Sequence, residues 1–316
     1  MTSSRRLPRL IAQPWLLTFA LVALVWIGAG LTLRGFGSWG HLRYLLELSA
    51  VIGIAAAGQT LVVIAGGIDL SVGAIITVSA ILLPLLSPAA DPTGLVGLVA
   101  TLGLATGIGF LNGAGAAYLR VPPIIMTLAM TTFLQGLLII VAGGSAVSVS
   151  NPAVIWLGSA RPLGLPAGVI LWVIVSAAIL LVIHRTPFGA RLLAIGANPL
   201  AAKLTGLGVE RASLRLYAAS GFFSGLAGIL LLGMNRQGYA GIGEPYLLTS
   251  IAAVVLGGTS ILGGRGTYAG TIPGAILLVT TTALITVVNA SPGWRSIMFG
   301  SLILALLLIS GREARR

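Results

Sequence analysis

The 316-residue sequence contains no cysteine. That removes a disulfide framework, a thiolate zinc site and a cysteine nucleophile, while carrying no information on compartment. Histidine is nearly as scarce. His41 and His184 are the only two, too few for a histidine-built metal cluster, so no metal site is expected. The third shortage is charge. Asp, Glu, Lys and Arg together make 8% of the chain, against roughly 25% in soluble domains. A chain this poor in charge cannot cover a soluble globule. With 57% hydrophobic residues and a mean hydropathy of +1.07, its expected solvent is a bilayer. Disorder and coiled coil do not fit this composition, and the 44 glycines lack the three-residue period of collagen.

The few charges are unequal in sign: 18 basic residues, Lys203 the sole lysine, against 6 acidic ones, for a net +12. Such a surplus suits either nucleic acid or the cytoplasmic loops of a membrane protein. No basic stripe interleaves with aromatics, so nucleic-acid binding is not expected. Basic residues that translocate poorly are the better reading.

Residues 15–33 form a charge-free run of 19 residues, long enough for one helical crossing at about 1.5 Å per residue and too long for a signal-peptide core. Further apolar runs lie near 48–64, 74–86, 94–119, 124–141, 167–183, 216–232, 247–262, 268–288 and 296–310. Most are apolar around the whole circumference, and the ten-residue alternation of an outer-membrane barrel is missing. The expected fold is all-α: a polytopic membrane protein of about ten transmembrane helices with glycine-rich helix breaks. With the N-terminus in the cytoplasm, alternation places 13 basic residues inside and 5 outside, which supports an even number of spans with both termini inside. The organisation is then a cytoplasmic segment (1–14), one transmembrane domain (15–310) with a cytoplasmic loop at about 184–215, and a short tail (311–316). Small residues crowd several runs, notably Gly103, Gly107, Gly109, Gly113 and Gly115, then Gly221, Ser224, Gly225 and Gly228. Such positions let helix backbones approach closely.

The most unusual stretch is 65–73, Ala-Gly-Gly-Ile-Asp-Leu-Ser-Val-Gly. It sets the most isolated carboxylate of the chain between two apolar runs, where an Asp costs about 2.5–3.5 kcal/mol at the bilayer centre. A helix break offers a local offset. Gly66 and Gly67 end one segment, and Asp69 caps the next by accepting from the amides of Ser71 or Val72. Broken helices at membrane depth are tolerated where they line a cavity, so Gly66, Gly67, Asp69, Ser71 and Gly73 are candidates for a gate as well as for a structural cap. A second glycine-rich stretch, 256–267, supplies Gly257, Gly258, Gly263 and Gly264. Ile64, Gly66, Gly67 and Gly73 match Ile261, Gly263, Gly264 and Gly270 at a constant offset of 197. That offset spans six crossings and places both breaks on the same side.

In the cytoplasmic loop, Asn198 is a good N-cap, Pro199 suits the first helical position and Gly206 can stop the helix. This short helix, with Ala201, Ala202 and Lys203 on it, makes sense docked on a partner. Gln59, Asn112, Gln135 and Asn289 lie inside runs or at their ends. They serve either as interhelical glue or as neutral hydrogen-bonding groups along a path. No nucleophile–base pair is present, and Gly-Gly-Arg-Gly at 263–266 lacks the Lys-Ser/Thr of a nucleotide-binding loop. No catalytic residue is expected.

Three of these stretches resemble the permeases of ribose-type ABC importers, in order, over roughly residues 40 to 310: Gly-Gly-Ile-Asp-Leu-Ser-Val-Gly at 66–73, the run 251–260 followed by Gly-Gly-Arg-Gly-Thr at 263–267, and the loop 185–206 with Tyr217, Ser220 and Gly221 after it. The resemblance implies a multi-pass subunit of the bacterial inner membrane that moves a monosaccharide or a related small sugar. It implies three partners beside lipid: a second permease copy or homologue, a cytoplasmic ABC ATPase that uses the ATP, and a periplasmic sugar-binding protein. This chain itself would bind no cofactor. By the same likeness, the helix at 198–206 is the coupling helix that enters the ATPase. Two other readings stay open, an ion-coupled secondary transporter and an ABC permease for a non-sugar cargo such as branched-chain amino acids. A membrane-embedded enzyme lacks a residue constellation to support it.

Overall fold

A computed structural model describes residues 14–87, 91, 93–287, 293, 294, 297, 300 and 301. Its helices are α1 (Pro14–Thr32), α2 (Trp39–Ile64), α3 (Val72–Leu86), α4 (Leu95–Ala117), α5 (Pro123–Ala142), α6 (Pro152–Ser159), α7 (Ala167–Arg185), α8 (Pro187–Ala197), α9 (Pro199–Leu204), α10 (Val209–Asn235), α11 (Glu244–Leu256) and α12 (Tyr268–Val287). Two short strands, β1 (Val147–Ser148) and β2 (Gln237–Gly238), pair antiparallel. Among the described residues, seven helices are long and apolar enough to cross a membrane: α1, α2, α4, α5, α7, α10 and α12. Helices α3 and α11 are shorter apolar helices within the same bundle. The chain is thus an all-α polytopic membrane protein. The run at 296–310, Asn289 and both terminal segments lie almost wholly outside the described residues.

Two helices form the centre. The apolar window of α2 is 89% buried and that of α10 is 72% buried. Helix α2 packs against α7, α10, α11 and α12, while α10 packs against α3, α4 and α6. Helix α1 lies at the rim on α12, its window only 11% buried, as suits a helix bathed in lipid. Specific bonds tie α2 to its neighbours. The Trp172 indole donates to the Tyr268 hydroxyl, which donates in turn to the Gly53 carbonyl at 2.7 Å. The hydroxyls of Thr60 and Thr271 meet at 3.0 Å.

The glycine stripe of α4 is divided between two faces. A Cβ on Gly109 would overlap the Tyr217 carbonyl of α10, and one on Gly113 would sit 2.9 Å from the Leu214 Cα. Gly115 is filled instead by Met126 of α5. Gly103 and Gly107 have nothing within 4 Å, so they are not close-approach positions. The reason is helical period: 109 and 113 share one stripe, and 103 and 107 share another that points outward. From the other side, a Cβ on Gly221 would overlap the Ala105 carbonyl.

Three span boundaries differ from those expected; helix α10 begins at Val209 and not near 216. Helix α2 begins at Trp39 and not near 48, because Ser38 caps it by accepting from the His41 amide and nothing breaks the helix thereafter. His41 is therefore helical and not in an external loop. Arg43 reaches the Gly164 carbonyl and lies over the Trp39 ring, and Glu47 is half-buried inside the helix. Asp69 is not the only carboxylate within a span. Helix α11 begins at Glu244 and ends at Leu256, six residues short of the expected end. Beyond α10 the chain runs back along α3. Gly238 packs on the Ala80 carbonyl, and the Gly243 amide donates to Thr77 Oγ1 at 3.0 Å. The long connection at 142–166 is structured too: β1 pairs with β2, Asn151 caps α6, and Gly158 packs against Gly233.

Placing a methyl group at the α4–α10 crossing should be felt directly. Gly109→Ala and Gly221→Ala are each expected to lower stability by about 1–3 kcal/mol through overpacking. Gly107→Ala on the outward stripe is expected to be neutral or to gain up to about 1 kcal/mol from helix propensity. Thermal unfolding of the detergent-purified protein checks this; equal melting of all three variants would contradict the packing described.

Candidate functional site: the meeting of two helix breaks

The first break starts where α2 stops. Gly66 takes φ +83°, a conformation costly for residues with a side chain, and the amides of Gly66 and Gly67 close back onto the Val63 and Val62 carbonyls. Residues 67–70 are then non-helical in the middle of the bundle, so their backbone groups need partners. Two neighbouring helices supply them. The Leu70 amide donates to Thr127 Oγ1 at 3.0 Å, and the Leu70 carbonyl accepts from Thr131 Oγ1 at 3.0 Å, both from α5. The Tyr217 hydroxyl of α10 donates to the Ile68 carbonyl at 3.3 Å.

Asp69 is fully buried. One carboxylate oxygen accepts from the Ser71 amide at 2.9 Å and the Ser71 hydroxyl at 2.6 Å, and the other accepts from the Ser220 hydroxyl of α10 at 2.7 Å. Asn112 of α4 donates its side-chain N–H to Ser71 Oγ at 2.8 Å. Hydrogen bonds to a charged group contribute about 1.5–3 kcal/mol each, the scale needed to hold a carboxylate at depth. The cap itself is corrected: Ser71, not Asp69, is the N-cap residue of α3. Asp69 stands two residues earlier and braces the turn by taking the Ser71 amide. Gly73 serves a separate contact, since a Cβ there would press within 2.9 Å of the Gly243 carbonyl oxygen.

The second break, after Leu256, turns on itself. The Ser260 amide donates to the Arg265 carbonyl at 2.9 Å, with Gly263 and Gly264 at φ +84° and +74°. Its tip lands on the first break: the Gly264 amide donates to the Ile64 carbonyl at 2.9 Å, and a Cβ on Gly263 would come within 2.8 Å of the Gly66 Cα. The end of α8 joins the same point. A Cβ on Gly196 would overlap the Ile64 carbonyl, and one on Gly264 would meet the Ala197 Cα at 2.7 Å. Three separate pieces of chain thus touch backbone to backbone. Gly257 and Gly258 lie further back; Gly257 packs face to face with Gly270 at the α11–α12 crossing. His184 Nε2 lies 2.9 Å from Thr267 Oγ1 and ties the end of α7 to the second break.

From this junction α8 leads through Asn198 into α9. The Asn198 side chain accepts from the Ala201 amide at 3.0 Å, and Gly206 ends the turn at φ +84°. Ala201 and Lys203 are exposed, and Lys203 forms an ion pair with Glu210. Ala202 is 5% exposed and faces the protein, so it is not part of an outward docking face. The outward groups are Leu200 and Leu204, 69% and 81% exposed.

Comparison with known proteins places this architecture. The profile of the family described as branched-chain amino acid transport system / permease component matches residues 42–307. The chain belongs to this permease family. It is 34% identical over 277 residues to a ribose import permease of Bacillus subtilis (strain 168), covering 87% of this chain and 85% of that one. It is 32% identical over 313 residues to a ribose import permease of Escherichia coli (strain K12), covering 96% and 97%. A fructose import permease of Rhizobium meliloti is 29% identical over 307 residues, covering 94% and 85%. No solved structure matches.

In this permease the polar residues expected along a path do not form one line. Gln59 is fully buried in α2 with neither amide atom bonded to a protein group. Asn112 belongs to the Asp69 cluster. Gln135 is exposed on α5 and borders a groove beside α3. Asn289 lies outside the described residues. Sequence reasoning noted Tyr217 and Ser220 only within the family likeness and missed Thr127 and Thr131; all four hold the first break. The Thr127–Thr131 pair at i, i+4 was the available signal, but threonines in apolar helices commonly bond to their own preceding turn, as Thr132 does with Leu128 and as Thr127 and Thr131 also do with Pro123 and Thr127. Helix α8 was missed because its Pro and Gly read as loop residues. Pro187 occupies the first helical position, where it fits, and Gly189 and Gly196 are required by contact with the Ile183 and Ile64 carbonyls.

Removing the hydroxyls should leave the break without partners. Ser220→Ala and the double change Thr127→Val, Thr131→Val are each expected to cost about 1–3 kcal/mol per orphaned group. Thr132→Val should have little effect. Melting temperatures of the purified variants decide; a double variant as stable as Thr132→Val would contradict the assignment.

Proposed function

We propose that this chain is the membrane-spanning subunit of an ATP-driven importer that translocates a monosaccharide or a closely related sugar. The observation that supports this most is likeness over nearly the whole chain to ribose and fructose import permeases. The family profile is named for branched-chain amino acids, so membership alone does not choose a cargo, and the sugar reading rests on those relatives. The partners in this reading are a second permease subunit, a cytoplasmic ABC ATPase that consumes the ATP, and a periplasmic sugar-binding protein. The site is the bacterial inner membrane.

The end of the bundle bearing α8 and α9 faces the cytoplasm in this reading. Arg120, Arg185, Arg191, Lys203, Arg211, Arg215 and Arg265 flank helix ends or loops there, against Arg34, Arg43, Arg161 and Arg236 at the opposite end. That bias is the one expected of a cytoplasmic side. Nine crossings run through α1, α2, α3, α4, α5, α7, α10, α11 and α12; the run at 296–310, expected as a tenth that keeps both termini inside, lies almost wholly outside the described residues.

The mechanism follows the contacts. The ATPase grips α9 through Leu200 and Leu204. Movement of α9 passes along α8 to Gly196, which touches the Ile64 carbonyl, and Ile64 holds Gly264. Displacing α8 therefore bears on both breaks together, and the breaks act as gate and hinge of an alternating-access path. An ion-coupled carrier fits less well, since both oxygens of Asp69 are already engaged by Ser71 and Ser220.

Two measurements test this reading. Leu200→Asp with Leu204→Asp should abolish co-purification of the ATPase and reduce sugar-stimulated ATP hydrolysis more than tenfold while the permease still folds; undiminished coupling would overturn the docking face. Gly67→Leu, which drives a side chain into Tyr217 and Val62, and Asp69→Ala should each depress uptake at normal expression. Unchanged uptake in both would remove the gate role.

A further inference from the structure

Between α3, α5 and the start of α11 lies an open groove of about 360 Å³, within the usual size of small-molecule sites. Thr77 of α3, Gln135 of α5 and Glu244 of α11 converge on it above an apolar wall of Ala74 and Leu138. Both Gln135 and Glu244 are exposed. The groove lies well inside the bundle, because the chain leading into α11 is bonded to α3 at Thr77 and pressed against Gly73. A carboxylate facing lipid at such a level costs several kcal/mol. The segment 239–243 just before Glu244 is non-helical and also borders the groove, and such backbone is found at membrane depth only within protein or beside water. Both features turn this face away from lipid, toward water or the second subunit.

The groove is also placed in line with the first break. Thr127, Thr131 and Gln135 follow at i, i+4 and i+8 on one stripe of α5. The first two clamp Leu70, and the third projects into the groove about 12 Å further along the helix axis.

We propose that this groove is the cargo-binding subsite of the permease, built for a neutral polyhydroxylated molecule; this rests on the sugar reading above. The Glu244 carboxylate accepts hydrogen bonds from adjacent hydroxyls, and the Gln135 amide both donates and accepts. No lysine or arginine lines the groove among the described residues. Glu244 thus repels a phosphate on the cargo and selects against phosphorylated sugars.

The test uses the permease assembled with its ATPase and binding protein in liposomes, with labelled D-ribose, D-fructose and L-leucine as probes. Glu244→Ala and Gln135→Leu are expected to cut sugar uptake at least tenfold, with co-purification of the ATPase and basal ATP hydrolysis within twofold of the unaltered complex. Glu244→Gln should raise the sugar concentration for half-maximal uptake several-fold. Should Glu244→Ala fail to assemble, Gln135→Leu decides, since it alters an exposed side chain on α5. Unchanged sugar uptake in Gln135→Leu and Glu244→Gln would overturn the subsite and leave the importer reading intact. Parallel loss of basal ATP hydrolysis would also overturn it, by showing a structural role. An unaltered complex that moves leucine and neither sugar would overturn the sugar reading and the subsite with it.

Discussion

The hydrogen bond from the Gly264 amide to the Ile64 carbonyl, at 2.9 Å, is the contact on which the meeting of the two helix breaks depends. Ile64 is the last residue of α2, the most buried helix of the bundle, and its carbonyl would otherwise be an orphan at a helix end. A side-chain cap would have satisfied the carbonyl locally. A backbone amide from a segment two hundred residues further on satisfies it at a distance, and ties the first break to the second. The bond is reachable only because Gly196, Gly263 and Gly264 carry no Cβ; at Gly196 a methyl group would occupy the carbonyl oxygen's own space. The close approach, more than any special chemistry, explains the glycine content of these stretches.

The two breaks are stabilised differently. Residues 68–71 are held by side chains of α4, α5 and α10, through Asn112, Thr127, Thr131, Tyr217 and Ser220. Residues 257–267 are held mainly by their own turns and by backbone contact with α2 and α8. The first break is therefore fixed to the bundle, whereas the second rests on fewer bonds to other helices. In the proposed reading, the second break shifts with α8 against the first. This asymmetry is invisible in the glycine pattern, which is alike in both.

Much of the architecture was legible in the apolar runs, because a bilayer forces helices to be long and uniformly apolar. The early starts of α2, α10 and α11 share one cause. A run ends at the first charge, but a helix does not: α2 carries His41, Arg43 and Glu47 within its outer turns because Ser38 caps it and Arg43 finds Trp39 and Gly164. The cap and the stop of α9 were readable from Asn198 and Gly206, since those residues act through local geometry. Which of its side chains face outward was not, because in a six-residue helix orientation is set by packing, and packing turned Ala202 inward and left Leu200 and Leu204 out. The glycine stripe of α4 likewise looked uniform in sequence and is split by helical phase. The donors to Asp69 were hidden for a related reason: serines and threonines at depth usually satisfy themselves, and only the fold shows that Ser220 reaches across to another helix.

The scarcity of acids bears on the source of energy. A carrier driven by protons or sodium needs a carboxylate that can exchange its partner during the cycle. Asp69 is committed to holding the first break, since both its oxygens accept from Ser71 and Ser220, and releasing them would free the backbone turn that α3 starts from. Glu47 lies near the outer start of α2, and Glu244 opens onto a groove with room for cargo. None of the three combines burial at the centre with freedom to change partner. In the proposed reading, the exposed Leu200 and Leu204, joined through α8 by backbone contact to both breaks, receive work done elsewhere. The engagement of its few carboxylates is consistent with the proposed division of labour, with the path in this subunit and the energy in a partner.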